Sequence, residues 1–358
     1  FLSKHIAPII LACITPMGYF APIGEWLLIT FLALSTLISF IFNSYKVNLS
    51  SLTVFFLVCL FMSCSFLWSF NQDRTAEVIL PTIGITFAVY VIISFTSRIN
   101  IKNVDLIIGF SLLATSIVIM LDLLLDAGIR TNLASMVGDH PTSKSANYSR
   151  GILILLMLMP ILVAALINTK KVILALIIFF LVSSIVIIGP NDTAKLALFA
   201  SIISAIIIYF FGPRSFVGFG LIVVLWILSA PIIAYKITPL ISNIDKMYES
   251  RWEDKGGVSF VEKKPWQSSS MGSSIVHRLV VWEFVGKEIT KTPLLGTGLG
   301  TSRLIGQNIE LQVPLSKTNI KGAIPLHPHN NALEIWLELG ILGAIIYAGI
   351  WLVIIKFG

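Results

Sequence analysis

His327-Pro328-His329-Asn330-Asn331-Ala332-Leu333-Glu334-Ile335-Trp336-Leu337-Glu338-Leu339-Gly340-Ile341-Leu342-Gly343 stands where a long polar loop runs into a strongly apolar segment. Two imidazoles, two amides and two carboxylates therefore meet a membrane surface, and the carboxylates continue into a hydrophobic helix. Ionisable groups are costly in that setting and point to function by default. The apolar run from 331 to 357 is long enough to cross a bilayer, which takes about 20 residues. Its reading as a spanning helix sets the reading of the rest of the chain.

The composition agrees. The 358 residues are 56% hydrophobic and only 12% charged, and the mean hydropathy is +0.92. That is a polytopic, all-α membrane protein and not a soluble globule. About ten transmembrane helices are predicted, near 6–22, 25–42, 52–69, 78–96, 104–125, 151–168, 171–189, 194–211, 216–235 and 331–357. The first is interrupted by Pro8, Pro16 and Gly18, and no small-residue cleavage site follows it. Three parts result: a transmembrane bundle over 1–235, a loop domain over 236–330, and a last transmembrane helix over 331–358. Because the chain stops directly after that helix, further helices could follow in a longer gene product.

Charge sets the orientation. One set of turns carries Lys4, Lys46, Arg98, Lys102, Lys170, Lys171, Arg214 and Lys356, with Asp105 the nearby acid. The other set is mixed: Glu25, Asp73, Arg74, Glu77, Asp126, Arg130, Asp139, Lys144, Arg150, Asp192 and Lys195. The positive-inside rule places the first set in the cytoplasm. Both termini are then cytoplasmic and the 236–330 loop is extracytoplasmic, as an even number of spans requires. The cytoplasmic cations suit anionic membrane lipids. The outer loop holds twelve basic and eight acidic residues, an excess that favours an anionic ligand. No basic block or aromatic-basic interleaving appears, so nucleic acid is not an expected partner. Cys13, Cys59 and Cys64 lie inside apolar segments and read as small core residues.

Within the outer loop, residues 249–274 are rich in Ser, Gly, Lys and Glu and read as mobile. From Ser274 to Ile289 the pattern becomes helical: Ile275, Leu279, Trp282, Val285 and Ile289 recur on one face. This amphipathic helix can lie on the membrane or on the bundle. Pro293-Leu294-Leu295-Gly296-Thr297-Gly298-Leu299-Gly300 then makes a tight glycine-rich turn. A second, shorter outer loop covers 127–150 and ends in Asn147-Tyr148-Ser149-Arg150-Gly151.

His329 is the first candidate for chemistry. A neutral imidazole can take a proton from a hydroxyl near pH 7, which few other side chains can do. Asn331 is read as the helix cap and Glu334 completes a capping box, which would hold His329 rigidly at membrane-surface depth. The plain alternative is that His327 and His329 are polar residues at a helix start. A metal site is the competing functional reading, but the loop adds only His277, and closed zinc sites use four N or S ligands. Arg278 is the second candidate, because a guanidinium matches phosphate oxygens in a bidentate fork. It could equally serve in a surface ion pair with Glu283 or under Trp282. Lys195, one turn into a hydrophobic helix, either snorkels to the interface or binds an anion in the bundle. Arg150 and Arg130 sit similarly at outer helix ends. Glu338 lies about 10 Å below Asn331 at 1.5 Å per residue and needs a cationic or hydrogen-bonding partner. Nucleotide loops, carboxylate metal clusters and nucleophile elbows are absent from the sequence. Group transfer would therefore use a substrate already activated, such as a sugar on a lipid pyrophosphate, and no cofactor or metal is expected.

These residues resemble a known family. His329-Asn330, nine residues, Gly340, two residues and Gly343 is similar to the His-Asn signature of bacterial O-antigen ligases. The His277-Arg278 to Trp282 helix and the Pro-Leu-x-Gly-x-Gly of 293–298 resemble the same superfamily, which includes O-antigen and exopolysaccharide polymerases. The resemblance is sharp over about 275–345 and extends to the rest through topology. It implies a metal-independent, GT-C-like glycosyltransferase of the bacterial inner membrane. Such an enzyme takes glycan from undecaprenyl pyrophosphate at the periplasmic face. By the same resemblance, His329 would be the base on the acceptor and Arg278 would bind the donor pyrophosphate. The family's other arginine, at the outer end of a membrane helix, has no counterpart in Asn191–Lys195. Lys195, Arg150 or Arg303 would substitute, and His327, Asn330 and Glu338 would complete the substrate site.

The sequence therefore reads as an O-antigen ligase that transfers glycan to a lipid A-core sugar with inversion. An O-antigen or exopolysaccharide polymerase differs only in its acceptor, and a protein O-oligosaccharyltransferase is a further alternative. A transporter or flippase of lipid-linked sugars would instead show paired charges or broken helices near the bilayer midplane.

Overall fold

The computed structural model describes residues 2–20, 25–42, 49–96, 103–125, 128–129, 132, 144–212, 214–237, 271–312, 319–324 and 327–357. The helices are α1 (Leu2–Phe20), α2 (Glu25–Phe42), α3 (Leu49–Cys64), α4 (Gln72–Thr96), α5 (Val104–Leu124), α6 (Lys144–Asn168), α7 (Val172–Ile188), α8 (Asp192–Phe211), α9 (Arg214–Tyr235), α10 (Met271–Ile289) and α11 (Asn331–Phe357). An antiparallel pair, β1 (Glu310–Gln312) and β2 (Asn319–Lys321), is a small departure from the all-α expectation, with Glu310 opposite Lys321.

Every predicted apolar segment is a helix, and α1 continues through both Pro8 and Pro16. Six helices are long and apolar enough to cross a membrane among the described residues: Gln72–Ser94, Val104–Leu124, Tyr148–Asn168, Asp192–Phe211, Arg214–Tyr235 and Asn331–Ile355. Four further apolar helical stretches are shorter: Pro8–Phe20, Leu27–Ile38, Leu52–Leu67 and Val172–Ile188. Multi-pass insertion follows from the lipid-like exposure of residues such as Ile173, Phe180, Phe210 and Leu225.

The chain forms two compact units, one built on Phe1–Val47 and Thr86–Ile206, the other on Asn48–Ile85 and Ser269–Gly358 together with α9. In the first, Leu112, Ile119, Ile152, Leu155, Ile178 and Ile185 pack between α5, α6 and α7. One end of this unit holds a polar knot that the sequence reading overlooked. Asp122 on α5 is fully buried and accepts hydrogen bonds from the hydroxyls of Tyr19 and Tyr148 and, at 2.8 Å, from the Ile129 amide. The predicted loop end at Asn147–Gly151 is thus the first turns of α6, because burying Tyr148 against Asp122 extends the helix back to Lys144.

In the second unit, α9, α10 and α11 share a core of Ile227, Ala234, Val281, Val285, Leu333 and Leu337. The Trp336 indole donates to the Ile227 carbonyl at 2.8 Å. The predicted start of the amphipathic helix at Ser274 is late: α10 begins at Met271, inside the stretch read as mobile, whose residues 249–270 lie outside the described set. Its apolar face is packed against α9 and α11 instead of lying on a lipid surface.

The last helix also departs from the expected continuous span. Gly340 has φ 64 and ψ −160, which breaks α11. In an unbroken helix, Ile341 and Leu342 would donate to the Leu337 and Glu338 carbonyls. Here Thr297 and Gly298 donate to them, at 2.9 and 2.8 Å, while the Ile341 amide turns to the Pro293 carbonyl at 2.9 Å. The glycine-rich turn is therefore inserted into the break.

Candidate functional site

The histidine turn is built by α10 and the first turn of α11. Trp282 on α10 donates its indole N–H to the Pro328 carbonyl at 2.8 Å, which fixes the middle of His327-Pro328-His329. His329 follows in the left-handed region at φ 55, a conformation uncommon outside glycine and characteristic of constrained sites. Its backbone amide donates to His327 Nδ1 at 3.2 Å, so a neutral His327 carries its proton on Nε2. The two rings meet edge-on with centroids 4.3 Å apart. The helix cap is one residue earlier than the sequence suggested. Asn330 Oδ1, not Asn331, accepts from the amides of Ala332 and Leu333, at 3.1 and 3.4 Å. Asn330 thereby spends its acceptor on the helix start, since only a side chain outside the helix can reach those orphan donors.

The same surroundings set the charge of His329. Its ring is open to solvent on one side, yet enough protein surrounds it that burial leads the causes lowering its pKa to about 4, followed by His327, Arg278 and His277. His277 is lowered too, by burial and then by Arg278. The structure thus brings Arg278, His277, His327 and His329 into one electrostatic neighbourhood, and His329 is neutral throughout the physiological range.

Below this turn lies the inserted loop. Glu338 is 6% exposed, and its carboxylate accepts from the Gly300 amide at 2.7 Å and the Ser302 amide at 3.1 Å. It was expected to need a cation or hydrogen-bond donors, and it has the donors. The Ser302 hydroxyl lies within hydrogen-bonding reach of both Glu334 and Glu338. Arg303 comes next, exposed on the short 3-10 turn Ser302–Leu304. Gly296 has φ 70, and a Cβ there would sit 2.4 Å from the Glu338 carbonyl carbon, so only glycine permits this contact.

Arg74, in the first turn of α4, was read only as part of the outer charge balance. The structure places its Nε 3.4 Å from the Gly300 carbonyl and its guanidinium 2.9 Å from Glu77. Its signal was available: an arginine in the first turn of a long apolar helix. Trp282 and Asp122 were harder to find, since their roles depend on partners 46 and 103 residues away.

Lys195 and Arg150 belong to the first unit. Lys195 pairs with Asp192 at 3.1 Å. Asn191 donates to the Ser149 carbonyl at 3.3 Å, tying the start of α8 to α6 beside the exposed Arg150. Arg130 lies outside the described residues. Among the described residues, no three His, Cys, Asp or Glu side chains are gathered as a metal site would require.

Comparison with known proteins bears on this site. The family profile described as O-Antigen ligase matches residues 192–348, which contain α8 to most of α11 and the whole histidine turn. A protein of Rickettsia felis described as "Putative polysaccharide ligase" is 44% identical over 78 residues. Relatives with the same description in Rickettsia conorii and Rickettsia prowazekii are 44% identical over 82 residues and 43% over 76. Each match covers 21% of this chain and 18% of the relative's length. No solved structure matches the chain.

Proposed function

We propose that this protein is an inner-membrane glycosyltransferase, a reading supported by the match of the O-antigen ligase family profile to residues 192–348. In this reading it moves glycan from undecaprenyl pyrophosphate to a lipid A-core sugar hydroxyl at the periplasmic face. Its ten apolar helices all cross the membrane in a GT-C-like arrangement. Residues 1–235 are the bundle, 236–330 the periplasmic loop domain and 331–358 the last span. The observation that carries the proposal is His329, uncharged and held in a left-handed turn beside Arg278.

His329 removes the proton from the acceptor hydroxyl as that oxygen bonds to the anomeric carbon. The bond from the anomeric carbon to the pyrophosphate oxygen breaks on the opposite face, so configuration inverts. Charge gathering on the departing lipid pyrophosphate is met by Arg278. A second cation completes the phosphate contact. Lys195 and Arg150 are candidates in the first unit, and Arg303 and Arg74 share the unit of Arg278. Pyrophosphate bound at Arg278 offsets the positive charge that helps depress His329, and so raises its basicity when a donor is present. His327 and Asn330 shape the turn, and Glu338 holds the loop that leads to Arg303. Neither a metal nor a nucleotide is required.

The relatives' printed name, polysaccharide ligase, is the reason the ligase reading is placed ahead of the polymerase. The break in α11 does not favour a transporter, because the protein's own loop fills it. The test is transfer in vitro from a lipid-pyrophosphate glycan, with lipid A-core and a second lipid-linked glycan offered in parallel, in EDTA and without nucleotide. Product on lipid A-core, lost in His329→Ala, is expected. Product only on the second glycan replaces the ligase by a polymerase. Full activity in His329→Ala refutes the assignment of the base.

A further inference from the structure

The glycine-rich loop carries a feature that an ordinary water-facing loop does not need. Every backbone amide from Gly296 to Ser302 donates to a protein acceptor: in turn Thr292 O, Leu337 O, Glu338 O, Ser65 Oγ, Glu338 Oε2, Gly298 O and Glu338 Oε1. Among the described residues, most of the carbonyls of 293–302 are served as well, those of Leu294 and Gly296 excepted. Pro293 O accepts from Ile341, Leu295 O from the Trp68 indole at 2.8 Å, Thr297 O from the Phe70 amide at 3.0 Å and Leu299 O from the Thr75 hydroxyl at 3.0 Å. Water supplies such partners freely to a surface loop, whereas non-helical backbone at membrane depth must find them all inside the protein.

The depth agrees. The Leu294 carbonyl faces Gly340, nine residues along a helix that starts at Asn331, or about 13 Å at 1.5 Å per residue. The root of the loop, with Gly296, Gly298 and Thr301, is buried. Its crest is apolar and bare: Leu294 is 68% exposed, and Leu67 and Phe70, on the turn that hydrogen-bonds to it, are 76% and 58% exposed. A patch of this kind on a water-facing surface would be a liability.

We propose that residues 293–302 form a re-entrant loop in the outer leaflet, with Leu294, Leu295, Leu67 and Phe70 facing lipid acyl chains and Glu338 as its buried anchor. The occupant of the crest is the bilayer itself. This inference goes beyond the catalytic reading and does not depend on it.

The test is spin-label accessibility in proteoliposomes made from the full chain, with Cys13, Cys59 and Cys64 replaced by alanine. A nitroxide on Leu294→Cys should collide readily with oxygen and poorly with a water-soluble nickel chelate. One on Ile309→Cys, beside the β-pair, should show the reverse. Leu67→Cys gives an independent reading if the Leu294 variant does not fold. Adding Glu338→Gln, which turns one acceptor into a donor facing an amide, should move the Leu294 label toward water. Nickel accessibility at Leu294 or Leu67 equal to that at Ile309 overturns the proposal. So does a label reached by neither reagent, which would mean that protein covers the crest.

Discussion

The break at Gly340 makes a sharp energetic prediction for Gly340→Ala. At φ 64 and ψ −160 the backbone is in a region essentially reserved for glycine, and a side chain held there costs about 1–3 kcal/mol. The new Cβ would also stand 2.3 Å from the Leu294 oxygen and 2.6 Å from the Leu295 nitrogen, both backbone atoms that cannot step aside alone. The loop must therefore withdraw, taking with it the bonds from Thr297 to Leu337, Gly298 to Glu338 and Ile341 to Pro293. At about 1 kcal/mol net each, the total loss is about 4–6 kcal/mol, a large fraction of an ordinary folding free energy. Gly349 on the same helix is the internal control. Nothing lies within 4 Å of its would-be Cβ, so Gly349→Ala should be neutral or stabilising by up to about 1 kcal/mol through helix propensity. Denaturant unfolding in mixed micelles measures both variants, and hydrogen exchange reads the Thr297 and Gly298 amides. If Gly340→Ala costs less than about 1 kcal/mol with those amides still protected, the inserted loop is not what holds the break.

Four further outcomes are expected. Because burial and neighbouring cations lower the His329 pKa to about 4, its ring should stay reactive to diethyl pyrocarbonate as pH falls through 6 and lose reactivity only near 4; a midpoint near 6.5 would contradict the stated causes. Donor-free stability should fall as pH drops from 6.5 toward 4, since the unfolded chain takes up the proton that folded His329 refuses. Arg278→Lys should reduce transfer at least tenfold by losing the bidentate fork, and Lys195→Ala should weaken lipid-pyrophosphate binding; unchanged affinity in both Arg278→Ala and Lys195→Ala removes them from the donor site. Asp122→Ala should destabilise by about 3–5 kcal/mol, because it strands two buried phenols and an amide. Asp122→Asn, which can still accept from one group and donate to another, should cost less than half of that in the same unfolding assay.

Residues 327–343 and the hydropathy profile made much of this legible. Long apolar runs have one cheap solution in a bilayer, so the helices fell close to their predicted places. The histidine turn was read from the polar residues at the head of the last apolar run, and Arg278 from the fit of a guanidinium to phosphate and from the His277–Trp282 resemblance. What stayed hidden were contacts between residues far apart in the chain. Asp122 was passed over in the sequence, since nothing local says that Tyr19 and Tyr148 close on it. Gly340 fitted a spacing signature, but its dihedral angles come from a loop some 40 residues earlier. Asn330 and Asn331 are equally good caps by type, and the tight turn at His329 decided between them.

The exchange of hydrogen bonds at the break has a consequence for assembly. A straight α11 satisfies its own backbone and can enter the bilayer as an autonomous apolar helix. The broken form trades two internal bonds for three to the loop, so it becomes favourable only once residues 293–302 are docked. Insertion and bending are then separate events, in the order expected when membrane helices form first and pack later. Until the second event Glu338 has no amides to receive. The loop that later donates its Gly300 and Ser302 amides to that carboxyl group also makes the bend permanent.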